Sequence, residues 1–340
     1  MPPRIACVTG ATGFLASEMV AQLLAGGYVV QATVRSLASR EKISHLTELP
    51  EASSNLRLFE ADLLTEGAFD SCVASADVVF HAASPFVTSN IGDPQRELYD
   101  PALNGTRNVF GSIARSGGKP RVVLTSSVAA VLGKATDKST CFDEDDWNYS
   151  STPEGNPPGD GLDLYRYSKL IAEREAWEIS AQLGLEMASV CPSFIMGPPR
   201  TPRLDGESIS NMQMALEGQL PHRTDTPLVD VRDCAAVHVA AAEVAEAVGK
   251  RFITSSSRAM QRAEMLRWLA AAYPHLAIHD AGEPQEPSSL REVLCPKNLP
   301  LLGLSLREPK QTVLDMAETM FEMGAVQPII REDHEAKSEL

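Results

Sequence analysis

The stretch Ile5-Ala-Cys-Val-Thr-Gly-Ala-Thr-Gly-Phe-Leu-Ala-Ser17 constrains the chain more than any other. Residues 5–8 read as a short strand and residues 14–24 as a helix, with Gly10, Gly13 and Ala16 at three-residue spacing across the turn. Small residues at that spacing bare the backbone where the helix begins. The first N–H groups of a helix have no partner inside it and carry the positive end of its dipole, so a phosphate can settle there. The spacing is a variant of the dinucleotide fingerprint, with one extra residue between the first two glycines and Ala16 in third place. Gly10, Thr12, Gly13, Phe14 and Leu15 are therefore candidate cofactor-binding residues. The competing reading is a tight strand-to-helix turn without a ligand, and the flanking strand and helix argue against it.

Downstream, strands are expected at residues 28–34, 56–60, 77–81, 121–125 and 186–190, the last leading to Pro192. Helices are expected at 39–49, 66–75, 94–116 and 164–183. Nearly continuous apolar strands alternating with helices mean a parallel sheet covered on both faces. The expectation is an α/β, Rossmann-type doubly wound parallel sheet over residues 1–196, in which ligands sit beyond the carboxyl ends of the strands. Gly10, Arg35, Asp62, Ala82 and Ser127 all fall at such ends. Residues 133–163 form a long polar connection, which in a compact domain is more often functional than idle. From residue 197 the pattern loosens around Pro198, Pro199 and Pro202, and residues 197–327 read as a smaller substrate lobe. Its helices are expected near 207–217, 233–247, 261–272 and 310–324, its strands at 228–231 and 251–254, with some segments returning to the sheet. Residues 328–340 read as a charged, mobile tail.

A length of 340 residues suits one large domain, or one domain with a lobe. The net charge of −15 argues against nucleic acid or an anionic membrane as partner. Six cysteines form no CxxC pair, so the expectation is reduced thiols, without zinc or a disulfide framework. The chain enters its first strand almost at once and has no run of about 18 apolar residues, which fits a cytoplasmic protein, monomer or homodimer.

Tyr165 and Lys169 are four residues apart, hence on one helical face a turn apart. A free phenol ionises near pH 10, so tyrosine serves acid–base chemistry only when an adjacent cation favours its phenolate. Lys169 would supply that cation and bind a ribose as well. Tyr167 is out of phase and has no lysine four residues on. Ser127, at a strand end, would hold a substrate carbonyl, with Ser126 the alternative because adjacent strand side chains point opposite ways. Arg35 ends the second strand where NAD-preferring folds place an acid, and Lys42 follows closely. A guanidinium there suits a 2′-phosphate, so NADP(H) is the expected cofactor. Asp62 would reach an adenine amine or cap a helix, and His81 reads as a packed strand-end residue.

Together these motifs resemble an extended short-chain dehydrogenase/reductase of the dihydroflavonol-reductase-like group, over residues 4–325. The markers are Val8-Thr-Gly-Ala-Thr-Gly-Phe, Ala32-Thr-Val-Arg35, Ala61-Asp-Leu63, His81-Ala-Ala-Ser-Pro85, Asn104-Gly-Thr106 and Val122-Val-Leu-Thr-Ser-Ser127. Phe142-Asp-Glu-Asp-Asp-Trp147, Tyr165-x-x-Ser-Lys169 and Asp230-Val-Arg-Asp233 complete the set. The resemblance implies Ser127, Tyr165 and Lys169 as catalytic triad. It also implies Pro192, Ser193 and Ile195 beside the nicotinamide, with Leu63, Ala82, Ala83 and Ser84 along the cofactor. Flavonoid-reducing members carry asparagine where this chain has Leu132, and Gly161-Leu-Asp-Leu-Tyr165 departs from the cinnamoyl-CoA reductase pattern. Ser84-Pro-Phe86, Pro101-Ala-Leu-Asn-Gly105 and Ser127-Val-Ala-Ala130 resemble the fungal ketone, aldehyde and methylglyoxal reductases more. The resemblance thus implies NADPH-dependent reduction of a small or medium ketone or aldehyde. Nucleotide-sugar epimerisation or dehydration on the same fold, and a non-catalytic NADP-binding redox sensor, are the alternatives. Phe86, Leu132, Met212, Met214 and the 150–163 loop are candidate substrate walls, with ordinary core as the other reading for the two methionines.

Overall fold

Along the first strand, β1 (Ile5–Val8), Ala6 and Val8 enter one apolar cluster and Cys7 another. This alternation with both faces apolar is what a strand buried between two helical layers requires. The computed structural model describes residues 3–84, 91–133, 141–221, 226–256, 259–280, 282 and 293–331. In chain order, α1 (Phe14–Ala25), β2 (Val29–Val34), β3 (Leu56–Glu60) and β4 (Val78–His81) follow β1. Then come α2 (Asp100–Ser116), β5 (Arg121–Thr125), β6 (Cys141–Phe142), α3 (Gly161–Leu183), β7 (Met187–Pro192) and β8 (Phe194–Met196). The rest comprises α4 (Glu207–Leu216), β9 (Thr226–Asp230), α5 (Val231–Glu243), β10 (Arg251–Thr254) and β11 (Ala259–Met260). The last elements are α6 (Arg262–Ala272), β12 (Val293–Leu294) and α7 (Pro309–Glu322).

Seven parallel strands form one sheet in the order β10-β7-β5-β4-β1-β2-β3. The order reverses between β1 and β4, so the crevice opens at their carboxyl ends. One face is covered by α1 and α5, where Met19, Leu23, Val237 and Ala241 meet Val30, Phe80 and Val123. The other face packs Phe110, Ile113 and Ala176 from α2 and α3 against Val79, Val122 and Leu124. The second half thus divides: α5 and β10 return to the sheet, while α4, α6 and α7 bury Met212, Leu266, Leu269 and Met316 in a separate lobe core. A short sheet, β11-β9-β8, leads into that lobe.

Four expectations change. Residues 39–49 and 66–75 hold only short turns, Arg40–Lys42, Ser44–Thr47 and Asp70–Val73. In the first of these only Ile43 and Leu46 are buried, too few contacts to stabilise a longer helix. The helix carrying Tyr165 starts at Gly161, because the Asp160 carboxylate caps it, accepting from the Leu162 and Asp163 N–H groups. Cysteine pairing also differs: Cys141 and Cys295 are joined in a disulfide, their Cα atoms 5.9 Å apart. The parallel pairing of β6 with β12 brings them together. Finally, the tail is anchored at its start, where the Ala277 N–H donates to Ile329 O and the Arg331 N–H to His275 O. Residues 332–340 lie outside the described residues.

Candidate active site

Gly10 turns the chain out of β1 with φ +69°, and a Cβ there would lie 3.1 Å from Ala83 Cβ. The loops after β1 and β4 therefore touch at the crevice. Thr9 fastens them: its Oγ1 accepts from the N–H groups of Ala82 (3.0 Å) and Ala83 (2.9 Å) and lies 3.2 Å from His81 Nδ1. Burial lowers the His81 pKa to about 4, with the Lys169 charge adding to it, so the imidazole is neutral at ordinary pH. With two N–H groups on the Thr9 oxygen, its proton goes to Nδ1, and the ring proton sits on Nε2. His81 is thus a packed strand-end residue. Gly13 caps α1 with extended backbone and no side-chain hydrogen bond, so no side chain competes for the first helical N–H groups. These residues fit a pyrophosphate. Thr12, Phe14 and Leu15 lie on the same turn, and Thr201 Oγ1 donates to Thr12 O at 3.1 Å, pinning the lobe to it.

Arg35 is exposed just past the end of β2, with Arg40 and Lys42 exposed close by, an arrangement open to a phosphate. Asp62 follows β3, where its Oδ1 accepts from the Leu64 N–H at 2.8 Å, fixing the loop and the position of Leu63. Asn108 holds Leu63 O from α2 at 2.9 Å.

Tyr165 and Lys169 are both 8% exposed on the face of α3 turned to the sheet, Lys169 Nζ 5.6 Å from the Tyr165 ring centroid. The ammonium donates to Ser84 Oγ at 2.7 Å, joining α3 to the loop after β4. Burial lowers the Lys169 pKa to about 8, against an opposing pull from the Glu173 carboxylate. Tyr167 instead packs edge-on against Tyr99, ring centroids 5.2 Å apart. The two serines after β5 part company. Ser126 is buried and donates to Glu173 Oε2 at 2.7 Å. Ser127 is half-buried and its Oγ accepts from the Ala129 N–H at 3.1 Å, which orients it while leaving its proton to donate.

Pro192 ends β7, and Ser193 is tied to Thr254 O through both N–H and Oγ. Ile195 lies on β8 and packs against the α1 side of the core. Among the substrate candidates, Leu132 is buried away from the crevice and Met212 follows its core reading. Leu132 packs among Val131, Phe142, Cys191, Ile253 and Leu294, and Met212 is fully enclosed in the lobe core. Both are core because apolar neighbours from several chain segments close over them. Met214 is half-buried, and Phe86 lies outside the described residues. The 150–163 loop is tied to α3, Ser151 Oγ donating to Asp163 Oδ1 at 2.6 Å.

Sequence reasoning passed over Glu173 and Arg251, a buried ion pair with Nε–Oε1 at 2.8 Å. The Tyr165–Lys169–Glu173 spacing was the available signal. Asp230 and Arg232 of the Asp230-Val-Arg-Asp233 motif do structural work, holding α5 to Thr312 and Asp315 of α7. Among the described residues no cluster of His, Cys, Asp or Glu could hold a metal ion, and no helix is long and apolar enough to cross a membrane.

A doubly wound parallel sheet with a glycine-lined crevice and a Tyr–Lys pair beside it defines a short-chain oxidoreductase of the dinucleotide-binding kind. The chain belongs to the NAD dependent epimerase/dehydratase family, whose model matches residues 6–253. Within it, the chain falls in the dihydroflavonol-reductase-like group of extended short-chain enzymes. Cinnamoyl-CoA reductase CAD2 of Medicago truncatula is 38% identical over 286 residues, 84% of this chain and 85% of its own. Tetraketide alpha-pyrone reductase 1 of Arabidopsis thaliana is 33% identical over 328 residues, 95% of this chain and 97% of its own. Among solved structures, the yeast methylglyoxal/isovaleraldehyde reductase Gre2, complexed with NADPH, superposes with a TM-score of 0.83 at 30% identity. The match covers 94% of this chain and 99% of that one. The fungal resemblance thus stands beside plant relatives of higher identity.

Proposed function

We propose that this chain reduces a small or medium ketone or aldehyde to its alcohol with NADPH. The observation that carries the reading is Lys169 held against Tyr165 on a buried helix face, with Ser127 at the adjoining strand end. When bound, NADPH supplies the hydride. Gly10, Thr12, Gly13, Phe14 and Leu15 would hold its pyrophosphate, Arg35 and Lys42 its 2′-phosphate, and Asp62 and Leu63 its adenine side. Ala82, Ala83, Ser84, Pro192, Ser193 and Ile195 would line the rest.

Ser127 donates to the substrate carbonyl oxygen and fixes it within reach of Tyr165. Tyr165 protonates that oxygen as negative charge develops on it. Lys169 lowers the cost of the phenolate left behind, a cost that spans about 4 kcal/mol between a free phenol and one matched to neutral pH. Met214, on a helix hung from β8 by the Ser208 hydrogen bond to Ile195 O, would be one wall for substrate choice, with Phe86 and the 150–163 loop.

The test is NADPH consumption across a panel of ketones and aldehydes, with NADH in parallel. Carbonyl-dependent oxidation of NADPH is the expected result. Tight NADPH binding with no turnover on any carbonyl would mark a sensor instead, and conversion of nucleotide sugars without net NADPH consumption would mark an epimerase.

A further inference from the structure

Tyr165, Lys169 and Glu173 recur every four residues, so they form one row along α3. Glu173 is 1% exposed, and both its oxygens are engaged. Oε1 accepts from Arg251 Nε at 2.8 Å and Ser189 Oγ at 2.6 Å, with Trp177 Nε1 at 3.3 Å. Oε2 accepts from Arg251 Nη2 at 2.9 Å and Ser126 Oγ at 2.7 Å. Arg251 is itself fixed: Nη1 donates to the carbonyl oxygens of Glu144 and Asp146, and the guanidinium lies 3.9 Å from the Trp147 ring centroid. Well-packed apolar residues stabilise a core as well as a buried ion pair does, so stability alone does not explain this one. Its Glu173 lies one helical turn beyond Lys169 on α3. A small cavity of mixed lining, polar groups of His81, Thr125, Ser126, Lys169 and Glu173 facing Leu63, Leu124 and several alanines, lies there, with room for a water molecule.

We propose that Glu173, clamped by Arg251, is a positioning residue: its fixed negative charge keeps Lys169 protonated beside Tyr165, and its hold on Ser126 leaves Ser127 to the substrate. The role rests on the reductase reading above. Burial alone pushes the Glu173 carboxyl up, but the Arg251 charge and the hydrogen bonds from Arg251, Ser189 and Ser126 bring it below the ordinary carboxylate range. It is therefore anionic wherever the enzyme works. Burial works against the Lys169 charge, and Glu173 opposes that loss.

The shifted histidines, cysteine and tyrosine around this row stay uncharged through the neutral range. His81 on β4 and His238 on α5, which bonds Thr125 at 2.9 Å, are lowered by burial to about 4. Cys191 on β7 and Tyr99 before α2 are raised by burial to about 12. Arg251 on β10 stays cationic. Glu144, in the loop after β6, lies behind Arg251 and accepts from the N–H groups of Ile253, Lys297 and Asn298.

Removing a negative charge makes either member of the Tyr165–Lys169 pair easier to deprotonate. The first proton of the pair then leaves at lower pH, whichever residue gives it up. Unit charges about 6 Å apart at an effective dielectric of about 20 correspond to a shift on the order of two pH units. The experiment is Glu173→Gln, read in two ways. One is the alkaline limb of the kcat profile for carbonyl reduction at saturating NADPH. The other is the near-ultraviolet phenolate titration without substrate, with Tyr165→Phe subtracted as background.

Both should move toward acid by about one to two pH units, while Glu173→Asp, which keeps the charge, retains the wild-type limb. The double variant Glu173→Gln/Arg251→Met removes both charges and so leaves neither buried without its partner. It should shift in the same direction by less, since Arg251 lies beyond Glu173. An unmoved limb and an unmoved phenolate titration in either folded variant would overturn the role. If the wild type reduces no carbonyl, the reductase reading fails separately, and the phenolate titration still decides this one.

Discussion

Gly10→Ala tests the cofactor cradle, and the structure supplies its own control. At φ +69° an alanine pays about 1–2 kcal/mol for the left-handed backbone. Its Cβ would also press on Ala83, 3.1 Å from Cβ and 3.2 Å from Cα. Ala83 cannot yield by turning a side chain, because its N–H is held by Thr9 Oγ1 at 2.9 Å. Displacing that backbone adds about 1–3 kcal/mol. The strain continues through Ser84, the hydrogen-bond partner of Lys169. Gly27, at φ +78° with nothing within 4 Å of its would-be Cβ, incurs the backbone cost alone. Both alanine variants should lose a few degrees of Tm in thermal melts. Only Gly10→Ala should weaken NADPH binding, by about 10–100-fold in a fluorescence titration, the equivalent of about 1.4–2.8 kcal/mol. Wild-type NADPH affinity in Gly10→Ala, or an equal loss in Gly27→Ala, would refute the cradle.

Arg35→Asp should raise the KM for NADPH by about 10-fold or more, through loss of a charge-assisted contact and added repulsion, while the KM for NADH changes little. Equal responses to the two cofactors would contradict the assignment of Arg35 to the 2′-phosphate. Cys295→Ser opens a disulfide spanning 154 residues, and should lower unfolding stability by about 2–4 kcal/mol without reductant but not with it. An equal loss under both conditions would place the effect in packing around Cys295.

What was legible in the sequence depended on how local the determining interaction is. Strands at Leu56–Glu60, Arg121–Thr125 and Arg251–Thr254 were read to the residue, because each is a short run of strand-forming or alternating residues bounded by turns. Tyr165 and Lys169 were legible from their four-residue spacing set after a Rossmann-type half and a strand-end serine, and Tyr167, out of phase with them, packs on Tyr99. The residues favoured Ser127 but left Ser126 open as the alternative. What ties Ser126 down is a hydrogen bond to Glu173, 47 residues away, which no local pattern shows. A charged residue on a helix reads by default as solvated, so the Glu173–Arg251 pair needed the fold to be seen. The same holds for Cys141 and Cys295, which no spacing rule connects. Leu132 and Met212 were read as possible pocket walls because an apolar side chain looks alike in a core and in a binding site. Only the neighbours that close over them distinguish the two.

Turnover by Tyr165→Phe tests the central claim most directly. The change keeps the ring against Lys169 and deletes only the hydroxyl, so the fold and NADPH affinity should persist. With Tyr165 as proton donor, kcat on a carbonyl that the parent reduces falls by about 10²–10⁴-fold. Tyr167→Phe, altered in a ring that only packs on Tyr99, stays near the parent rate. Near-parental turnover by Tyr165→Phe would contradict the mechanism outright.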